Sequence, residues 1–354
     1  MASKIAKTIA RQEQKIAEGQ FYEAHQQLRV IASRYVKQEN WDAAIDILFG
    51  GAQSLLKAGQ GGSGGDLGIF LIDVYNKAEL KPDAQNKGKE SCALGTVHAY
   101  DQMADGTAIG KLFTLLRGFP EGEPTRKRFI SDSIGWSSKY GDFPAGDPEL
   151  HHVAGVIYAE EREPYDAERH LVLGTRDSEE QLARLEYEWY TEDESHTAAI
   201  YAARAIFPYL LTGNLRAANK AHLIFTSRLS QTNPNLGVQE VSSSSSDLRV
   251  YPSLPLLNFL GLLLLAIQRG SADLFRQLKS HYAVYIKEVG TWDEPLEQIG
   301  EMYFGIRIPR QGNPLFDMMG SLFMGGGGGS SSGSSAKPKA KKVEGPAPPA
   351  VDLD

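Results

Sequence analysis

Apolar residues recur at spacings of three and four along almost the whole chain, the period of a helix with one buried face. The stretch from Glu18 to Tyr35, EGQFYEAHQQLRVIASRY, shows this most cleanly. After a turn at Gly19, Phe21, Ala24, Leu28, Ile31 and Tyr35 line one side. Its opening returns, loosened, at Glu39–Ala44 (ENWDAA), Glu163–Ala167 (EPYDA) and Gly213–Ala218 (GNLRAA). Each has a turn, a large residue, one spacer and alanine. That grammar belongs to helix pairs stacked in a row, where each unit covers its neighbour's apolar face.

The same reading extends in both directions. Ile5, Ile9 and Ile16, with the stem of Gln12, form a first helix; Trp41, Ala44, Ile45, Leu48, Ala52, Leu55 and Leu56 form a third. The run GQGGSGG after Ala58 predicts a flexible loop, with Asp66 as N-cap of a fourth helix carrying Leu67, Phe70, Leu71, Val74 and Tyr75. The pattern dissolves between Lys81 and Glu90, which predicts a loop and a weak helix start. Short apolar helices follow over Ala108–Leu116 and after Pro124, the latter with Phe129, Ile130, Ile134 and Trp136. Asp147-Pro148 opens a helix with Leu150, Val153, Ala154, Ile157 and Tyr158. Its partner starts at Pro164 and closes at Gly174. Ser178 with Gln181 predicts a capping box for a helix with Leu182, Leu185 and Trp189. Ala199, Ala202, Ile206 and Leu210 come next, then a helix capped by Asn214.

Thr232 to Pro252 breaks the rhythm. VQEV and DLRVYP flank five serines, Ser242 to Ser246, which fits either a small β-hairpin near 238–252 or an irregular loop. The apolar run Leu254–Ile267 falls short of the roughly 20 residues of a membrane span and contains Pro255 and Asn258, so it reads as a buried helix. A helix capped by Ser271 and one after Pro295 complete the pattern. The fold expected is all-α: roughly fourteen helices in antiparallel pairs, forming a TPR-like, right-handed α-solenoid. After Met324 the chain turns to Gly, Ser, Pro and Lys, a composition that cannot offset chain entropy, so 325–354 reads as a disordered tail. Its lysines, Lys337 to Lys342, read as a solvated tail before they read as an acidic partner's target.

Composition narrows the function. Of 354 residues, 42% are hydrophobic and 23% charged, with net charge −7 and no long basic block, which argues against nucleic acid. One cysteine, Cys92, excludes an internal disulfide and suits a reducing compartment. The N-terminus, MASKIAKTIARQEQ, lacks the apolar core of a signal peptide; it is basic enough for a transit peptide, but its rhythm runs into the first repeat. Chemistry finds little footing. GQGGSGGDLG lacks the Walker spacing, and neither HExxH nor GxSxG occurs. His151-His152 reads as one packed and one solvated side chain. Glu160-Glu161 and Glu179-Glu180 lie at helix ends and read as solvated faces or helix-dipole partners. No catalytic, cofactor or metal residue is assigned.

Several motifs in order carry a family signature: GQFYEAHQQLRVIASRYVKQENWDAAIDIL, LLKAGQGGSGGDL, GDPELHHVAGVIYAEEREPYDAERHLVLGTRDS, LNFLGLLLLAIQR and YFGI. From Lys4 to about Met324 the chain resembles the Golgi-to-ER traffic protein four family, whose animal counterpart is a subunit of the transmembrane-domain recognition complex. The resemblance implies a cytosolic α-solenoid scaffold without catalysis, acting in delivery of tail-anchored proteins to the endoplasmic reticulum membrane. It implies that the N-terminal half (1–145) docks a dimeric targeting ATPase through Phe21, Tyr22, His25, Lys37, Asp66 and Asp73. By spacing alone Phe21 is core and Asp66 only a cap. It implies that the C-terminal half (146–324) docks the N-terminal domain of a ubiquitin-like protein, and through it a client-loaded co-chaperone, at Val250, Tyr251, Leu254, Leu257 and Phe259. The serine tract departs from the family pattern. Two rival readings remain: a generic helical-repeat adaptor of another assembly, and an all-helical hydrolase or transferase, which the lack of a clustered nucleophile, base or metal site disfavours.

Overall fold

Helix after helix ends on one left-handed residue, and the next amide donates back to the carbonyl five residues before it. The computed structural model describes residues 2–82, 107–243 and 246–306. In the first half the helices are α1 (Ala2–Ala17), α2 (Phe21–Lys37), α3 (Trp41–Lys57), α4 (Gly61–Lys77), α5 (Ala108–Gly118) and α6 (Pro124–Tyr140). Gly19, Glu39, Gly59 and Glu79 all have positive φ. The following amides of Gln20, Asn40, Gln60 and Leu80 reach Lys15, Tyr35, Leu55 and Tyr75 at 2.9–3.0 Å. This is the Schellman closure, which satisfies an orphan helix carbonyl and turns the chain tightly.

The second half continues with α7 (Pro148–Glu160), α8 (Pro164–Leu171), α9 (Ser178–Tyr190), α10 (Ala198–Leu211) and α11 (Leu215–Thr232). The hairpin β1 (Gln239–Ser243) and β2 (Ser246–Val250) follows. The chain then forms α12 (Pro255–Gln268), α13 (Ala272–His281), α14 (Ala283–Val289) and α15 (Asp293–Phe304). That gives fifteen α-helices among the described residues, all in one body that extends to Ile308. Two rows are evident: α1, α3, α5, α7, α9 and α11 pack in succession, and α2, α4 and α6 pack beside them. Residue 145 marks no break, since α7 packs on both α5 and α6. The all-α solenoid expected from periodicity is the observed architecture.

Three expected caps are present. Asp147 accepts from the amides of Glu149 and Leu150, Asn214 from Ala217, and Ser271 from Leu274. The tract 238–252 forms the hairpin, antiparallel with Gln239 opposite Val250 and Ser243 opposite Ser246. Four expectations are corrected. GQGGSGG is not a loop: Gly61 onward is the first turns of α4. Asp66 is therefore not an N-cap; it lies inside the helix, and the cap position is Gln60. Ser178 makes no capping box, because its hydroxyl is buried against His152 Nδ1 at 2.8 Å. The helix starting at Ser271 breaks at Tyr282, and the short α14 follows. Cys92, most of the 81–90 segment, the hairpin tip and the 325–354 tail lie outside the described residues.

The glycines of α4 are there for contact. A Cβ on Gly64 would sit 2.6 Å from Leu56 Cγ and 3.1 Å from the Ala52 carbonyl oxygen; one on Gly68 would sit 2.9 Å from the Phe129 ring. Gly62, on the exposed side of the same helix, has nothing within 4 Å. Gly64→Ala is expected to lower stability by about 1–3 kcal/mol through overpacking, and Gly62→Ala to raise it by about 0.5 kcal/mol through helix propensity. Urea unfolding midpoints of the two variants should move in opposite directions.

Candidate functional site

One face of α2 and one of α4 meet in a seam of charge and aromatic surface. Tyr22, His25, Arg29 and Lys37 recur at helical spacing on α2; Asp66, Phe70 and Asp73 do so on α4. His25 Nε2 lies 2.8 Å from Asp66 Oδ2, and Arg29 also donates to that oxygen. The Arg29 guanidinium lies 5.7 Å from the Phe70 ring centroid. Burial opposes charge on Asp66, but the hydrogen bonds from Arg29 and His25 outweigh it and hold the carboxyl below the usual carboxylate range. The group is partly solvated, so the pair is worth at most about 1 kcal/mol to stability. Its larger effect is to fix where the carboxylate points.

The six candidates of the N-terminal half divide by burial. Tyr22 is 78% exposed. Lys37 and Asp73 are exposed too, while His25 and Asp66 are half-buried in the seam. Phe21 is half-buried and packs on the core, in keeping with its stripe position. Arg29 and the exposed Val30 also lie on α2 here and are not among the candidates from sequence; Phe70, expected as a core-stripe residue, meets Arg29 instead. Arg29 was findable, one turn from His25 on the same side. Its partner, 37 positions away, was not.

The five candidates of the C-terminal half are mostly interior. Tyr251, Leu254, Leu257 and Phe259 are buried by the chain itself, and only Val250 is half-exposed. Tyr251 exchanges two hydrogen bonds with Asn258: its amide donates to Oδ1 at 2.7 Å, and Nδ2 donates to its carbonyl at 2.8 Å. Its hydroxyl meets Ser230 Oγ at 2.9 Å. Phe259 packs edge-on against Tyr282 at 5.5 Å. These residues lock the hairpin onto α12 rather than face outward. The outward positions beside them include Leu223, 58% exposed and one turn from Ser227, which Arg249 of β2 contacts at 2.9 Å.

Elsewhere, polar groups serve packing. Both His151 and His152 are buried, so neither faces water as expected. His151 Nε2 donates to the Ala145 carbonyl at 3.1 Å; its Nδ1 therefore accepts from His170 Nδ1, also at 3.1 Å. Glu161 is not a solvated helix end. It grips the buried Arg126 through two bonds, one of them 2.6 Å. Glu179 is buried as well, and takes two bonds from Arg216 of α11. No three His, Cys, Asp or Glu side chains gather as metal ligands among the described residues. Nor is any described helix long and apolar enough to cross a membrane.

A family model described as Golgi to ER traffic protein 4 matches residues 38–323. The Golgi to ER traffic protein 4 of Aspergillus fumigatus is 61% identical over 361 aligned residues, covering 100% of both chains. That of Schizosaccharomyces pombe is 32% identical over 305 residues, covering 86% of this chain and 91% of its own. The crystal structure of C. therm. Get4 aligns with a TM-score of 0.78 at 53% identity, covering 95% of this chain and 100% of that one.

The imidazole pair makes stability depend on pH. Burial first, and then His151 beside it, push His170 down to about 4. The folded state thus holds fewer protons than the unfolded state between about pH 6.5 and 4, so stability is complete above that window and is lost as pH falls through it. By pH 5 the loss from His170 is about 2 kcal/mol. His170→Phe should flatten the fall in urea midpoint between pH 7 and pH 5.

Proposed function

This chain belongs to the Golgi to ER traffic protein 4 family, and from that premise we propose a non-enzymatic scaffold that bridges two proteins in the cytosol. Its place is in Golgi-to-ER traffic. At its N-terminal end it docks the dimeric ATPase that targets tail-anchored proteins. At its C-terminal end it holds a ubiquitin-like protein, which recruits a client-loaded co-chaperone.

The observation that carries this reading is the α2–α4 seam. Four of the residues implied by family resemblance, Tyr22, His25, Asp66 and Asp73, come from helices far apart in sequence, yet they fall on one face. An exposed aromatic beside oriented charges is the composition of a protein-docking surface. Within the seam, Arg29 already neutralises Asp66 and His25 hydrogen-bonds to it, so Asp73 and Lys37 are the charges offered to a partner. At the other end the contact is made by exposed positions around the hairpin, Val250 and Leu223 among them. The buried Tyr251, Leu254, Leu257 and Phe259 support that surface from beneath.

Calorimetric titration of the targeting ATPase tests the proposal. The combined variant Tyr22→Ala, Lys37→Glu, Asp73→Lys should bind about tenfold or more weaker, because each exposed charge contributes only about 0.2–1 kcal/mol and the aromatic contributes more. Its helicity and melting temperature should match the wild type. Unchanged affinity would reject the seam as the docking surface.

A further inference from the structure

The opening of α8 repeats the opening of α2. Phe21-Tyr22-Glu23-Ala24-His25 and Pro164-Tyr165-Asp166-Ala167-Glu168 stand in the same register after a left-handed Gly19 or Arg162. The alanine is buried in both, as is the leucine four residues beyond it, Leu28 or Leu171. In both, the second residue is an exposed tyrosine; Tyr165 is 63% exposed. In both, the fifth residue bonds to the helix two places along: His25 to Asp66 of α4, and Glu168 to Arg204 of α10 at 2.7 Å.

Around Tyr165 the repeat becomes a built cluster. The Arg204 guanidinium lies 5.0 Å from the Tyr165 ring centroid and 4.6 Å from that of Trp189. Tyr165 also meets Trp189 edge-on at 5.3 Å. A largely exposed phenol is therefore held in one orientation, and a fixed aromatic loses little entropy when a partner covers it. Beneath the cluster lies Glu186, fully buried and 3.5 Å from Arg204 Nε; burial, and then Glu168 beside it, raise its pKa well above the usual carboxylate range. The charge of Arg204 is met by Glu168, which takes two bonds from the guanidinium.

The surroundings are acidic. The turn after α7 leads directly into α8, and Tyr165 at the start of α8 meets Trp189 at the end of α9, so the turns that follow α7 and α9 lie near each other. Glu160 and Glu163 flank one turn; Glu188, Glu192 and Glu194 flank the other, and all are exposed, with Arg228 4.0 Å from Glu188 and His196 3.2 Å from Glu194. Arg162 is the exposed arginine between them.

We propose that this edge is a second docking surface, centred on Tyr165, for a lysine- or arginine-rich segment of a protein partner. Carboxylates on both sides attract the cationic groups, and Tyr165, the exposed ring of the cluster, takes one by cation–π contact on the side away from Arg204. The proposal stands apart from the ATPase reading, which concerns α2 and α4 and is tested by a separate titration.

Fluorescence anisotropy with a short labelled peptide of alternating lysine and arginine, titrated with the full chain, decides it. The wild type should bind, with affinity falling as salt rises. Tyr165→Ala should weaken binding about tenfold, and Glu163→Gln, Glu188→Gln, Glu192→Gln together should do the same while removing most of the salt dependence. A control, Glu294→Gln, Glu297→Gln, Glu301→Gln on α15, should bind as the wild type does. If Tyr165→Ala lowers the melting temperature, Tyr165→Leu keeps the bulk without the π face and should show the same loss. Absence of wild-type binding, full binding by the Tyr165 variants, or an equal loss in the control would each overturn the proposal.

Discussion

At five of the left-handed turns a small residue stands five positions on, and these helix pairs depend on it. Gly19 leads to Ala24, Glu39 to Ala44, Gly59 to Gly64, Arg162 to Ala167 and Gly213 to Ala218. The amide of that small residue donates to the carbonyl just after the turn in every case. All four alanines are fully buried. The Schellman closure sets the direction of the next helix, and the small side chain lets its first turn lie against the helix just completed. Where the approach is tightest the position holds glycine, because a methyl group at residue 64 would overlap Leu56. Since each pair rests on the next, a shift at one turn passes along the row.

The charged groups follow the same geometry. Arg29 and His25 tie α2 to α4, Lys127 ties α6 to Asp166 of α8, and Arg204 ties α10 to Glu168 of α8. Each of these bonds joins helices two apart in the chain. They hold the row in register, and they leave exposed aromatics and flanking charges as the outward chemistry. The seam side chains are oriented by the same bonds that set helix spacing, so little of their conformational freedom remains to be lost in any contact they make.

Periodicity made the helices and their buried faces legible, and the EPYDA and GNLRAA repeats revealed the pairing. GQGGSGG misled because composition argued for flexibility where position argued for contact. Read in register, Gly59 is the turn and Gly64 the alanine equivalent. Asp66 then follows as a seam residue, not a cap. What stayed hidden were pairings over long separations. Glu161 with Arg126 and Glu179 with Arg216 look like solvated acids until the partner helix is in place. His151 and His170 lie 19 positions apart, and only the α7–α8 crossing shows that both are neutral packing groups.

The apolar helix α12 shows how cover changes meaning. A helix hydrophobic on nearly every side must be buried, and a terminal repeat has no next repeat to bury it. One resolution is that a partner supplies the missing layer. In this chain α10, α11, α13 and α14 pack around α12, and Trp292 adds an aromatic contact to Phe259. Among the described residues, α12 is therefore covered by the chain's own helices. The Tyr251–Asn258 bonds fix the hairpin against that finished core. The outward face of the hairpin therefore takes no part in covering α12, and a change on that face need not pass through local unfolding of the interior.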